Sequence, residues 1–366
     1  MILDRYFARR FLQSFLMISA VFVTLILLVD MIDQLRNFEG DELTVGQLVQ
    51  LIVLNTPEAV NQILPLLMIL STVVLFVGLA RSGELVVTRA TGRSGIRALR
   101  APMLMAALIG LLAVSTLNPI VAATSNRYQQ LVDTYRTGQP TALSLTGEGL
   151  WLRQGGARGQ SVIHATGYSG ANTVTLFGVT ILTYARDGGP VRRIQAQSAR
   201  LDDTEWVLRN AKVWPLAAGL NPEAAAGQHS ELRVPTTLTR DRIRDTIGRP
   251  SGISIYDLPQ TIRDLRAAGF STRRHEVWYQ VELARPFFLI AMVLVGAAQT
   301  MRHARSGGTG LAVLFAVLLG FSLYFIRGFA QAMGENGQIP VALAAWAPPL
   351  ASILLTVGML LHAEDG

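Results

Sequence analysis

Six long apolar segments constrain this sequence more than any other feature. They cover residues 11–32, 60–80, 98–120, 281–300, 310–331 and 341–361. Because about 20 apolar residues cross a bilayer as one helix, each segment predicts a transmembrane span. The first follows a basic start, but its apolar run is too long for a signal peptide, and no small-residue cleavage site comes after it. We therefore expect a retained anchor and a membrane protein with six spans.

The distribution of arginine predicts how the spans are oriented. The N-terminus and the loops 80–100 and 301–309 are rich in arginine, whereas loop 30–44 is mainly acidic and loop 332–340 carries a single acid. Arginine and lysine accumulate in cytoplasmic loops, so both termini are expected in the cytoplasm. The same placement accounts for the net charge of +7, so no nucleic-acid partner is expected.

The segment 121–280 contains no further span and is expected on the opposite, periplasmic side. Short stretches with the composition of β-strands end in turn residues such as Gly-Gly and Asp-Gly, as in "GLWLRQGG", "QSVIHATGYSG" and "TVTLFGVTILTYARDGG". This pattern predicts an antiparallel β domain of the sandwich or jelly-roll type, followed by a connecting helix. The fold class is thus membrane α-helical with an inserted all-β domain, divided as 1–120, 121–280 and 281–366.

The sequence contains none of the common catalytic or cofactor-binding motifs. Without cysteine it can form neither a disulfide nor a thiolate zinc site. A G-x-x-x-x-G-K-[ST] loop is absent, and the only lysine, Lys212, lies in the predicted β domain. The five histidines are scattered singly. We expect a protein that is not an enzyme and needs no cofactor or metal.

A short charged element, "LARSGELVVTRATGRSGIRALRAP", separates the second and third spans. Ser82 suits an N-cap, Glu84 suits the first turn of a helix, and Gly92 can end it, which predicts a helix over about 82–92. Such a helix is too short to be stable alone, so it needs a partner surface. An ATP-driven subunit could grip it. Alternatively, the loop only sets the topology and its helix rests on lipid headgroups. The candidate contact residues are Arg81, Glu84, Leu85 and Arg89.

Several further segments resemble one family of membrane proteins. They are "SGELVVTRATGRS", the start "LDRYFARRFL", "VDMIDQLRNF", "GLWLRQ", "LARPFFLIAMVLVGA" and the ending "AAWAPPLASILLTVGMLLHAEDG". In this order, and on this topology, they are similar to the LptF/LptG (YjgP/YjgQ) family of lipopolysaccharide export permeases. The "DQLR" and "GLWLRQ" segments favour the LptG branch of that family.

The resemblance implies an ABC transporter of the bacterial inner membrane. The chain would be a permease subunit that extracts lipopolysaccharide from the outer leaflet and passes it to a periplasmic bridge. Its implied partners are the sister permease LptF, a dimer of the cytoplasmic ATPase LptB, LptC, the lipopolysaccharide and membrane lipid. ATP would be hydrolysed by LptB, whose contact on this chain would be Glu84 in the coupling helix.

Ionisable residues near the outer ends of the spans are candidates for holding the substrate, because such residues are costly in a bilayer. We expect Arg36 and Arg327 to contact lipid A phosphates or core sugars, since the guanidinium fork suits phosphate. The family can carry lysine near position 30, where this chain has an acid, so that role would move to Arg36. Alternatively, these residues snorkel or pair among themselves, as Glu282 could with Arg285. The full candidate set is Asp30, Asp33, Arg36, Arg285 and Arg327.

The interior of the predicted β domain is expected to be apolar and to hold acyl chains. The candidate lining residues are Trp151, Val162, Leu176, Ile181 and Trp206. A closed core of a small sandwich would have the same alternation in sequence, so both interpretations remain open.

Two other functions fit the same layout. The chain could be a membrane scaffold or receptor whose β domain binds a periplasmic protein, or a permease for a different lipid. The scaffold hypothesis predicts that reversing the charge of Glu84 has no effect, whereas the permease hypothesis predicts uncoupled transport.

Overall fold

The structure is a computed structural model that divides into two compact units. It describes residues 2–38, 44–84, 87, 95–137, 143–146, 149–156, 159–169, 174–185, 189–202, 204–216, 221–236, 250–267, 271–303 and 309–365. One unit comprises Met1–Ser125 and Glu276–Gly366, and the other comprises Asn126–His275.

The first unit is a bundle of apolar helices. Six helices in the described part of the chain are long and apolar enough to cross a membrane, which confirms the predicted number of spans. The third is continuous through a π-helical turn, Ala113–Leu117. The helices are α1 (Ile2–Asn37), α2 (Val45–Arg81), α3 (Gly95–Leu112), α4 (Asn118–Thr137), α5 (Leu258–Ala267, in the second unit), α6 (Arg273–His303), α7 (Thr309–Glu335) and α8 (Val341–Asp365).

Glycines allow close contact between the helices of the bundle. A Cβ on Gly110 in α3 would lie 2.6 Å from the Cα of Pro286 in α6, so the two backbones touch there. Ile69 of α2 packs against both Gly296 of α6 and Gly320 of α7. Lipid tails are as apolar as the side chains, so such packing by small residues is a main source of helix association in membranes.

Helix α1 is most deeply buried near its two ends, although Phe15, Ile18 and Phe22 also pack partly buried against the core. Its buried residues are Phe7 and Phe11 near the start, and Asp30 and Gln34 near the end. No residue from 12 to 29 is buried. Phe7 and Phe11 belong to the main apolar core of the bundle. The middle of α1 is therefore the least enclosed part of the helix.

The second unit contains an antiparallel β-sheet, which confirms a β domain inserted between the helices. Its strands pair in the order β1-β2-β3-β5-β6-β7-β8, and β4 pairs with β5. The strands are β1 (Leu143–Thr146), β2 (Gly149–Gly156), β3 (Gly159–Ala165), β4 (Gly167–Ser169), β5 (Thr175–Tyr184), β6 (Pro190–Asp202), β7 (Glu205–Pro215) and β8 (Gly227–Pro235).

A crease crosses four neighbouring strands of this sheet. The pairing between neighbouring strands is interrupted at Gly178 in β5, Gln197 in β6, Asn210 in β7 and Ser230 in β8, because these residues have no partner in the ladder. Gly178 and Asn210 have positive φ angles of 59° and 52°. Asn210 Nδ2 also donates a hydrogen bond of 2.8 Å to Gln197 Oε1 across the crease. Because such irregularities bend a sheet and increase its twist, the crease curls this one around its apolar face.

The curl brings the two ends of the sheet together. Thr236, directly after β8, donates a hydrogen bond of 2.5 Å from Oγ1 to Gln154 Oε1 in β2, and both side chains are buried. Leu265 of α5 packs into the apolar core that the curled sheet surrounds. The interior of the β domain is thus one enclosed apolar face.

Candidate functional site

The membrane unit holds a buried ion pair that is tied to a third helix. Arg285 of α6 donates from Nη2 to Glu282 Oε1 over 2.5 Å, and its Nη1 donates to Asn61 Oδ1 of α2. Glu282 is fully buried and Arg285 nearly so. A charge placed in a low-dielectric interior needs a partner, and Glu282 neutralises Arg285. The pairing that the sequence left open as an alternative is therefore present.

Arg327 adds a second positive charge beside this pair. Its Cζ lies 4.9 Å from the ring centroid of Phe288, one turn beyond Arg285 on α6. Arg327 is close enough to Arg285 and Glu282 to interact electrostatically with both. Within the described residues, no carboxylate lies within ion-pair distance of Arg327. Glu282 thus pairs with Arg285 alone, and the additional positive charge of Arg327 suits an anionic group such as a phosphate.

The acidic residues of α1 do not join this cluster. Asp30 is buried and accepts hydrogen bonds of 2.9 Å at both carboxylate oxygens from Asn55 Nδ2 of α2. Asp33 and Arg36 lie exposed on the following turns of α1. Of the five predicted substrate contacts, the structure brings Arg285 and Arg327 together. Asp30 serves a separate contact between α1 and α2.

Sequence reasoning missed the polar partners contributed by α2. Asn55 and Asn61 were overlooked because only ionisable residues were sought within the spans. Glu58, on the same helix, accepts a hydrogen bond of 2.5 Å from Ser125 Oγ. The available signal was the polar cluster "NTPEAVNQ" in an otherwise apolar helix. Neutral amides in such a helix indicate contacts between helices.

Glu84, directly after α2, contacts the start of α1. Tyr6 donates a hydrogen bond of 2.7 Å from its hydroxyl to Glu84 Oε2, and Ser82 donates to Oε1 over 3.0 Å. Arg10 Nη2 lies 3.6 Å from Glu84 Oε1. The hydrogen bond from Tyr6 is the main reason why the pKa of Glu84 lies below its ordinary value. The carboxylate is therefore ionised at neutral pH.

Only part of the predicted 82–92 helix lies within the described residues. Val87 N donates to Gly83 O over 3.2 Å, which begins a helical turn. Ser82 is the C-cap of α2 rather than the predicted N-cap of the next helix. Arg81 is the exposed last residue of α2, whereas Leu85 and Arg89 lie outside the described residues.

The apolar interior of the β domain contains three of its five predicted lining residues. Leu176, Ile181 and Trp206 are buried in its core. Trp151 and Val162 lie on the opposite face, so the prediction that they line the interior is wrong. Side chains alternate along a strand, and their neighbours in sequence, Leu150, Leu152 and Ile163, take the inward positions. The ring of Trp151 packs against His164, with centroids 4.3 Å apart.

Comparison with known proteins gives consistent matches along the whole chain. A family model described as "Lipopolysaccharide export system permease LptF/LptG" matches residues 5–362. The chain is 22% identical to the lipopolysaccharide export system permease protein LptG of Haemophilus influenzae over 368 residues, covering 99% of both chains. It is 23% identical to the protein of that name from Escherichia coli K12 over 372 residues, covering 99% of this chain and 98% of the relative.

Proposed function

The chain belongs to the LptF/LptG family of lipopolysaccharide export system permeases, and we propose that it is the LptG-type permease subunit of an ABC transporter. In this role it extracts lipopolysaccharide from the outer leaflet of the inner membrane. It then passes the lipid to a periplasmic bridge for transfer to the outer membrane. Its partners are a sister permease of the LptF type, a dimer of the ATPase LptB, and LptC.

The observation that carries the substrate proposal is the excess of positive charge around the buried Glu282, supplied by the half-buried Arg327. Arg327 has the ring of Phe288 beneath it and no carboxylate of its own within the described residues. Lipopolysaccharide carries phosphate groups on lipid A, and a guanidinium binds phosphate through two parallel hydrogen bonds. Arg327 is therefore the primary phosphate contact, with Arg285 beside it. Arg36, Asp33 and Asp30 on α1 belong to the same proposed substrate region.

The link to ATP hydrolysis is proposed for the element that follows α2. Glu84 is ionised and partly exposed, with Arg81 and Val87 exposed on either side of it. A carboxylate beside an exposed apolar side chain offers an ATPase both an ion pair and an apolar contact. Leu85 and Arg89 complete the proposed contact. In this arrangement both termini lie in the cytoplasm and the β domain, of the jelly-roll type, lies in the periplasm.

The enclosed apolar face of the β domain is proposed as the path for the acyl chains. Leu176, Ile181 and Trp206 are fully buried or nearly so, which means that the curled sheet must open before it can admit a chain. The crease at Gly178 and Asn210 and the hydrogen bond between Gln154 and Thr236 mark where it could open. Trp151 and Val162, on the outer face, have no contact with lipid in this proposal.

A reconstituted transport assay tests the proposed function. The complex is purified from its native membrane, placed in vesicles with lipopolysaccharide, and the transfer of that lipid to a soluble acceptor is measured with and without ATP. We expect Glu84→Arg to reduce transfer to the ATP-free level and to lower the amount of ATPase that co-purifies. The control Glu335→Arg reverses another partly exposed acid and should change transfer by no more than about twofold. If Glu84→Arg behaves like the control, this chain is not coupled to the ATPase through Glu84.

A further inference from the structure

Glu84 is joined to α1 by a relay of three side chains. Arg10 Nε donates a hydrogen bond of 2.9 Å to the Tyr6 hydroxyl oxygen. The Tyr6 hydroxyl in turn donates to Glu84 Oε2 over 2.7 Å. Because Arg10 can only donate, the Tyr6 hydroxyl must accept from it and direct its own proton towards Glu84. The direction of the relay is thus fixed from Arg10 through Tyr6 to Glu84.

The relay connects two segments that are far apart in the sequence. Tyr6 and Glu84 are separated by 78 positions in the sequence. Arg10 also lies over the ring of Tyr6, with Cζ 5.4 Å from its centroid, so the ring has little freedom to turn away. A displacement of the Glu84 carboxylate therefore acts directly on the first turns of α1.

The way α1 is held makes it suited to respond to such a displacement. Phe7 and Phe11 anchor its start in the bundle core, and Asp30 holds its other end to Asn55. Between these anchors Phe15, Ile18 and Phe22 are only partly buried against the same core, and no residue is fully buried. The helix is continuous over 36 residues, so it directly links the Tyr6 contact at its start to the Asp30 contact near its end.

We propose that Tyr6 is a positioning residue that transmits movement of Glu84 to α1. This inference rests on the proposed coupling of Glu84 to an ATPase and names the route by which that coupling reaches the membrane spans. Span one then moves with the ATPase contact, rather than only through the loop that joins α2 to α3. Arg10 orients the Tyr6 hydroxyl and also lies within ion-pair distance of Glu84, with Nη2 3.6 Å from Oε1.

Two matched pairs of variants test this route in the reconstituted complex. Tyr6→Phe removes only the hydroxyl, and Tyr279→Phe makes the same change at a tyrosine of α6. Arg10→Gln removes one positive charge from the relay, and Arg9→Gln removes one from the adjacent exposed position. The measured quantities are ATP hydrolysis, lipid transfer, and the number of lipids transferred per ATP hydrolysed. Thermal midpoints in detergent check that all four variants are folded.

We expect Tyr6→Phe to lower lipid transfer per ATP by about tenfold, the factor that one hydrogen bond to a charged group corresponds to. ATP hydrolysis should stay within about twofold of the unmodified complex, because the Glu84 carboxylate is retained. Arg10→Gln should act in the same direction, while Tyr279→Phe and Arg9→Gln leave the ratio unchanged. Adding Tyr6→Phe to Glu84→Gln should cause little further loss, because both changes break one interaction.

The outcomes separate this inference from the function on which it rests. If Glu84→Arg uncouples transport but Tyr6→Phe and Arg10→Gln leave the ratio of transfer to hydrolysis unchanged, the route through Tyr6 is wrong and the proposed function stands. If Glu84→Arg has no effect, the coupling proposal fails first. An equal loss of hydrolysis and transfer in Tyr6→Phe would also contradict a positioning role, because it would mean that the ATPase contact itself was lost.

Discussion

Arg285 and Glu282 lie one turn apart on α6 and form an ion pair of 2.5 Å inside the membrane unit. The remaining carboxylate oxygen, Glu282 Oε2, is buried without a hydrogen bond. Asn61 accepts the other arm of the Arg285 guanidinium. The pair therefore links α6 to α2. Among the residues that the structure describes, Arg327 is the neighbouring cation without a carboxylate of its own.

Removing one member of this pair should be more harmful than replacing both. Arg285→Met leaves Glu282 as an uncompensated buried charge and should destabilise the protein by roughly 3–5 kcal/mol. The double variant Glu282→Gln/Arg285→Met removes both charges and should recover at least half of the lost thermal stability in detergent. Equal thermal midpoints for the single and double variants would contradict the role of this ion pair in stability.

Arg327 should govern the amount of bound lipopolysaccharide rather than the stability of the fold. Arg327→Gln removes the free guanidinium, and we expect the lipid that co-purifies to fall by about tenfold, as for the loss of one charge-assisted contact. Arg327→Lys keeps the charge but loses the planar fork, so it should retain an intermediate amount. Mass spectrometry of the purified protein measures the lipid. Unchanged lipid in Arg327→Gln would remove Arg327 from the binding site.

Lipid contact inside the β domain should follow the two faces of the sheet. A photo-crosslinking side chain at Ile181 points into the apolar interior, whereas one at Val162, on the neighbouring strand, points outward. We expect ATP-dependent cross-links to lipopolysaccharide from position 181 only. Cross-links of equal strength from both positions, or from position 162 alone, would contradict an interior path.

The contact between Tyr6 and Glu84 should have a defined pH dependence. Because the hydrogen bond from Tyr6 lowers the pKa of Glu84, the contact contributes fully above the ordinary value of 4.5 and is lost as pH falls through the lower, folded value. Infrared spectra of the carboxylate, taken as a difference against Glu84→Gln, measure this titration. In Tyr6→Phe the midpoint should rise towards the ordinary value. An unchanged midpoint would mean that Tyr6 does not hold the carboxylate.

Close packing between spans should make Gly110 intolerant of a methyl group. Alanine normally stabilises a helix relative to glycine by about 1 kcal/mol. In Gly110→Ala the new Cβ would meet the backbone of Pro286. The substitution should therefore destabilise the protein instead of stabilising it, and the thermal midpoint should fall. Gly358→Ala is the control, because no described atom outside its own helical turn lies within 4 Å of the position that its Cβ would take. A midpoint that rises in both variants would contradict the contact between α3 and α6.

The spans and the inserted β domain were predictable because both depend on local sequence patterns. An apolar run of sufficient length has few alternatives to a membrane helix, and turn residues at short intervals indicate β-strands. The direction of each side chain was harder to predict. In "GLWLRQ" both phases of the alternation place an apolar residue inward, so Trp151 was assigned to the wrong face. The crease also interrupts the alternation of inward and outward side chains within single strands. In β5, for example, the buried positions are Leu176, Val179 and Ile181 rather than every second residue.

The candidate sites were only partly predictable, since they depend on contacts between distant segments. Glu84 was identifiable from its position in a charged loop, but its partner Tyr6 lies 78 positions away and carries no signal of its own. Arg285 and Arg327 were found as charges within spans. Asn61, which fixes the orientation of Arg285, was missed. The free-energy cost of placing an uncharged amide in a membrane helix is smaller than that of a charge, so an amide is a weaker sign of function.

Native mass spectrometry of the chain, extracted in mild detergent from its own membrane, tests the central claim most directly. Under conditions that keep other ABC complexes intact, it identifies the co-purifying proteins and the bound lipid together. We predict one sister permease, an ATPase dimer and a lipid that carries lipid A. Recovery of the chain with neither an ATPase nor such a lipid would contradict its role as a lipopolysaccharide export permease.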